Sequence, residues 1–181
     1  SQPLHNLNAE GNMGELSLVT RLANFASFIP DTLAGILSGE ISEEMAIAVT
    51  RRAWADIINA AEQYNDPGHF TTFVAYEYTS STDDVGNLHR NVLFRGADKL
   101  PAVPFSRLNS QNPEGLWDWM DTLRGQGIES LAIPHNSNGS NGQMFKLVDW
   151  AGDPMDDDYA DQRMRNEPIV EITQVKGTSD T

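Results

Sequence analysis

The sequence predicts a mixed α/β fold of about four strands with flanking helices. Three observations carry this expectation. Helix-period and strand-period segments alternate from residue 42 onward. Gly, Pro and Asn clusters separate them at short intervals. The 181 residues, 39% hydrophobic and 21% charged, suit one domain with a real core, or a fragment of one. Four strands are too few for a complete eight-stranded β/α barrel, so a partial barrel or α/β layer is expected.

Residues 1–40 read as an arm followed by an apolar helical segment, and 41–181 as the α/β part. Leu18, Leu22, Phe25 and Ile29 form a helical stripe within Leu16–Leu37, which Pro30 should end or kink. Such a stripe needs a partner, and a second copy of the chain is the expected one. Ser42 reads as an N-cap, with Glu43 and Glu44 suited to the first turn. Met45, Val49, Ile57, Ala61 and Tyr64 then run along a long helix. Asn65-Asp66-Pro67-Gly68 ends it.

Phe70–Thr79 is rich in β-branched and aromatic residues and reads as the first strand, and Asn87–Phe94 as the second. Asn112-Pro113 is a strong helix start, with Leu116, Trp117, Met120 and Leu123 on the apolar face. Ile128–Ile133 is the third strand. Asp156–Met164 reads as a short helix with acidic residues at its start, and Ile169–Val175 as the fourth strand.

Charge and composition exclude several functions. Twelve Lys and Arg against 26 Asp and Glu give a formal charge of −14. Phosphate backbones and anionic membranes are disfavoured as partners. A small anionic substrate stays possible beside a bound cation. With no cysteine, thiolate metal sites and Cys nucleophiles are excluded. No apolar run reaches membrane-spanning length, and no charged-then-apolar leader starts the chain. Compartment is left open.

Chemistry concentrates in three segments. In an antiparallel hairpin with 81–85 at its tip, Tyr78 would face Leu88 and Glu77 would face His89, placing a carboxylate and an imidazole on one sheet face. Period-two alternation adds Asn91 to that face. Spacing alone favours a plain Glu–His hydrogen bond or a solvent-facing pair over a shared cation. His135 closes a buried strand after Pro134 and precedes an Asn/Ser/Gly tract. By itself it reads as a structural histidine, and beside Glu77 and His89 as a third ligand for zinc, manganese or iron. His69 reads as an exposed turn residue, and His5 as part of the polar arm. Glu171 alternates with apolar residues and has either a polar pocket or a salt bridge to Lys176 or Arg90 ahead of it. No Gly-x-Ser-x-Gly elbow or phosphate-loop lysine pattern is present.

These segments occur in a specific order: Tyr76-Glu77-Tyr78-Thr79-Ser80, then Asn87–Gly96, then Ala132-Ile133-Pro134-His135-Asn136-Ser137-Asn138, then Met164–Ile172. The order closely resembles the bacterial domain-of-unknown-function 3604 family over almost the whole chain. That family in turn resembles a distant branch of the polymerase-and-histidinol-phosphatase (PHP) superfamily, whose fold is a distorted β/α barrel with metal ions at its strand ends. The resemblance implies Glu77, His89 and His135 as metal ligands. It implies Asn87, Arg90, Asn91, Asn136, Asn138 and Glu171 as substrate-binding or ligand-supporting groups.

The superfamily's His-x-His, Thr-Asp-His and Asp-x-His ligands have no counterpart here. The chain is therefore expected to be the centre of a longer metal-dependent hydrolase of phosphoesterase type. By itself it should bind metal weakly or not at all and be inactive. The alternative is a non-catalytic binding or oligomerisation module that retains an incomplete metal site.

Overall fold

The computed structural model describes residues 42–83, 86–175 and 177–179, with residues 35, 38 and 39. The Leu16–Leu37 stripe (apart from Gly35), the arm with His5, Asp84 and Lys176 lie outside the described residues. The chain divides into two compact units, residues 1–56 and 57–181. Helix α1, Glu43–Tyr64, contains the boundary between them. It starts as its sequence predicts: the Ser42 hydroxyl accepts from the Met45 amide at 3.1 Å. At its far end Gly68 takes φ +97°, and Asp66 and Phe70 exchange main-chain hydrogen bonds of 2.8 Å.

The second unit is built on an antiparallel sheet of order β1-β2-β3, with β1 at Ala75–Tyr78, β2 at Arg90–Phe94 and β3 at Ser130–Pro134. Tyr78 pairs with Arg90 and Glu77 with Asn91; Arg90 in turn pairs with Pro134. The hairpin register therefore sits two residues away from the expected one. Side chains alternate with period two, so a two-residue shift leaves every side chain on its expected face. Glu77 and His89 remain on one face, as diagonal rather than direct neighbours.

The other face is the core. Tyr78, Val92, Phe94 and Ala132 are buried there, together with Leu116, Trp117 and Met120. The last three come from α2, Pro113–Gly125, whose Asn112 cap accepts from the Glu114 amide at 2.8 Å. Helix α3, Asp157–Asn166, is capped by Asp156, which accepts from the Tyr159 amide at 2.9 Å. Tyr78 donates its hydroxyl to the Ser110 carbonyl at 2.7 Å, and burial pushes its pKa up, keeping it a neutral donor.

Two expectations are corrected. Ile169–Val175 is not a fourth strand of this sheet. Only Thr173–Gln174 (β4) and Gly177–Thr178 (β5) pair, as a separate two-stranded ribbon. Ile169, Val170 and Ile172 are exposed, so the apolar alternation that marks a strand finds no sheet edge to join. Pro168 also denies the segment a main-chain donor at its start. Second, the described residues form two small antiparallel sheets and no closed barrel. The consecutive strands β1 and β2 pair antiparallel, which makes a hairpin rather than a parallel crossover. The coarser α/β expectation holds. No helix among the described residues is long and apolar enough to cross a membrane.

Helices α2 and α3 are joined by a polar cluster at Asp121. Its carboxylate accepts from Arg165 at 2.7 and 3.1 Å and from Asn166 at 3.1 Å, and also contacts Arg124. The Arg165 hydrogen bonds lower the Asp121 pKa to about 2, partial burial opposing them. A depressed carboxylate stabilises the fold above its unfolded pKa, about 3.9, and loses that contribution as pH falls toward 2. Asp121→Asn should therefore lower the unfolding midpoint at pH 7, with the difference from the parent chain shrinking between pH 4 and pH 2. A constant difference across that range, in thermal unfolding followed by circular dichroism, would show that ionisation of Asp121 is not the cause.

Candidate metal centre

The outward face of the sheet carries Glu77, His89 and His135. Glu77 is the third residue of β1. Residue 89 immediately precedes β2, and residue 135 immediately follows β3. Since Arg90 pairs with Pro134, the two histidines extend that ladder by one step, and the His135 amide donates to the His89 carbonyl at 3.2 Å. Antiparallel pairing thus fixes both imidazoles on the face that Glu77 occupies.

Glu77 Oε1 lies 2.9 Å from His89 Nδ1 and 3.3 Å from His135 Nε2. The two rings meet edge-on, with centroids 5.8 Å apart. One ligand atom from each of the three residues lies within 4.8 Å of the others. The side chains grade from open to closed: Glu77 is 44% exposed, His89 20% and His135 10%. The centre is therefore reachable from solvent on the carboxylate side and anchored on the His135 side.

The donor set fits a divalent cation. Two imidazoles and a carboxylate are what zinc and its neighbours bind, and three protein ligands are the usual number at catalytic zinc. Metal–ligand bonds of about 2.0–2.1 Å imply a tetrahedral edge of roughly 3.3 Å. The Glu77–His135 separation has that length. His135 Nδ1, on the other side of the ring, is buried without a hydrogen-bond partner among the described residues. A ring held by Nε2 alone is fixed more weakly than one tied at both nitrogens.

The remaining expected site residues fall into two groups. Asn91 lies directly opposite Glu77 and is exposed, so it borders the centre. Asn87 is half-buried, and its amide donates to the Gly139 carbonyl at 3.0 Å. A Cβ on Gly139 would meet the Asn87 side-chain nitrogen at 2.8 Å, so glycine lets the two loops meet. Asn138 is exposed, with its side-chain nitrogen close to Gly177. Asn136 is buried and left-handed, φ 62° and ψ 34°, a bend that asparagine tolerates better than most residues. His69 is exposed and pairs with Asp66 at 3.2 Å, away from the centre.

Arg90 does not face the centre. It is buried on the core side, with its guanidinium 2.7 Å from Glu167, so it supports the fold rather than reaching a substrate. Glu171 accepts from the Gln174 side chain at 2.7 Å; of its two expected partners, Arg90 pairs with Glu167 and Lys176 lies outside the described residues. Two residues escaped the sequence reading. Glu167 holds Arg90, Trp117 and Arg163 together. Gln174 joins Glu171 to Asn136. Glu167 had a signal, a carboxylate between a basic helix end and a proline. Gln174 had none, because its partners are set by tertiary structure.

No curated protein and no solved structure matches the chain. The family model described as "Protein of unknown function (DUF3604)" matches residues 1–181, so the chain belongs to that family.

Proposed function

We propose that this chain is the central part of a PHP-like metal-dependent hydrolase of phosphoesterase type, with Glu77, His89 and His135 as ligands. The supporting observation is the convergence of these three side chains on one partly open sheet face. A divalent cation there would supply Lewis acidity and lower the pKa of water. The chain's own residues do the positioning. Glu77 offers one oxygen to both imidazoles, and the main-chain bond between His135 and His89 keeps those rings adjacent. Asn91 offers an exposed amide beside them for a substrate oxygen. The anionic charge of the chain makes a cation the natural means of admitting a phosphate ester.

The test is phosphate-ester hydrolysis by the full-length protein with zinc or manganese, with chelator, and with His135→Ala. Activity should need the metal and vanish in the variant. Turnover that survives both treatments would sink the proposal.

A second reading, a binding or assembly module, has its own observation. Phe145, Leu147, Met164 and Ile169 are all at least half exposed. Phe145, Met164 and Ile169 line a groove of about 350 Å³ with Pro134 and Val170. Self-association through it would appear in light scattering as a mass above 20.0 kDa that Met164→Glu returns to monomer. A strict monomer with full metal-dependent activity would leave the hydrolase reading alone.

A further inference from the structure

We propose that Gln174 is a positioning residue for His135, an inference that rests on the metal-centre reading above. The Gln174 side-chain nitrogen has two hydrogens, and it donates to both Asn136 Oδ1 and Glu171 Oε1. Asn136 directly follows His135 and holds the left-handed bend that turns the chain out of β3. Glu171 is tied to the same strand end from the other side, its amide donating to the Pro134 carbonyl at 3.0 Å. The residues before and after His135 are therefore bound to one short segment, 171–174, and Gln174 closes the loop between them.

This matters because the His135 ring makes one polar contact, at Nε2, and its buried Nδ1 has no partner among the described residues. Metal-binding histidines are usually oriented through their second nitrogen. Here that means is absent among the described residues, and orientation has to come through the main chain. The clamp supplies it by holding Asn136 in its bend. Gly177, at φ +136°, lets the following ribbon lie against Asn138 in the same loop: a Cβ there would meet the Asn138 side-chain nitrogen at 2.8 Å. The ribbon strands Thr173–Gln174 and Gly177–Thr178 thus serve as a brace for the loop that follows His135.

Gln174→Leu removes both donors at similar bulk. Two readouts test it. The first needs no metal: long-range proton–nitrogen spectra of the imidazoles should show the His135 ring shifted and the His69 ring unchanged. The second is cobalt(II) titration of the full-length protein followed by visible absorption, where affinity should fall about 10-fold and the band shape should change. Glu171→Gln keeps a carbonyl acceptor for Gln174 and should leave the His135 ring resonances where they are in the parent chain. Asn136→Gly keeps the left-handed bend accessible while removing the acceptor, so it gives the same test if Gln174→Leu does not fold. Unaltered His135 resonances and unaltered cobalt affinity in a folded variant would overturn the proposal. A full-length protein that binds no cobalt would remove the metal-centre reading, and the ring spectra would still decide whether Gln174 positions His135.

Discussion

Replacing Glu167 by alanine is expected to destabilise the second unit by about 3–5 kcal/mol, the cost of leaving a buried charge without its partner. Arg90 and Glu167 are each 2% exposed at the side chain and 2.7 Å apart. The Arg90 guanidinium also reaches the Leu88 carbonyl. The same carboxylate accepts from Trp117 Nε1 at 2.9 Å and from Arg163 at 3.2 Å. Arg163 is itself stacked over Trp117 and Phe145, at 5.5 and 4.8 Å from the ring centres. One substitution would therefore strand a guanidinium and an indole N–H inside the fold. Urea unfolding of the variant measures the loss. A difference under about 1 kcal/mol, the range of exposed pairs, would mean that water reaches Arg90. The double variant Arg90→Met with Glu167→Leu should recover much of the stability, since apolar replacement of a whole buried pair is often neutral or better.

The second large effect concerns Glu77. Glu77→Ala is expected to weaken divalent-metal binding by more than about 100-fold, beyond the range typical for residues that only support a ligand. Glu77 Oε1 lies within 3.3 Å of both imidazoles. Without it, two neutral nitrogens are left with no anionic ligand among the three side chains. Asn91→Ala is the control, on the same face and directly opposite Glu77. It should leave metal affinity intact while lowering turnover of the full-length protein. Competition against a chromogenic zinc chelator, with the full-length protein and its variants, measures both affinities. Equal affinities for Glu77→Ala and the parent chain would rule Glu77 out as a ligand.

The nearness of Glu77 and His89 was legible in the sequence because it depends on parity, whereas His135 joined them through the family resemblance. Each lies in or beside a strand, and a hairpin misjudged by two residues still delivers the same side chains to the same face. Helix starts at Ser42, Asn112 and Asp156 were legible because a cap is a local hydrogen bond between residues two or three apart. The Ile169–Val175 segment misled because alternation reports what a strand wants to bury, not whether an edge is there to receive it. Arg90 was named as a substrate-binding or supporting group through the resemblance alone; alternation places it opposite to its outward neighbour His89, inward against Glu167. Partnerships across many residues, such as Arg90 with Glu167 and Gln174 with Asn136, leave no periodic trace in the chain.

The adjacency of opposite roles along these strands has a genetic consequence. His89 and Arg90 are successive residues, as are Pro134 and His135, yet one of each pair faces the metal centre and the other is buried in the core. A saturation scan through residues 88–94 should therefore give a striped phenotype. Substitutions at Leu88, Arg90, Val92 and Phe94 should deplete folded protein. Those at His89 and Asn91 should yield normal amounts of protein with altered chemistry. Neighbouring codons would then carry separable defects, and abundance and activity measured in parallel would read the two faces of the sheet as two independent records.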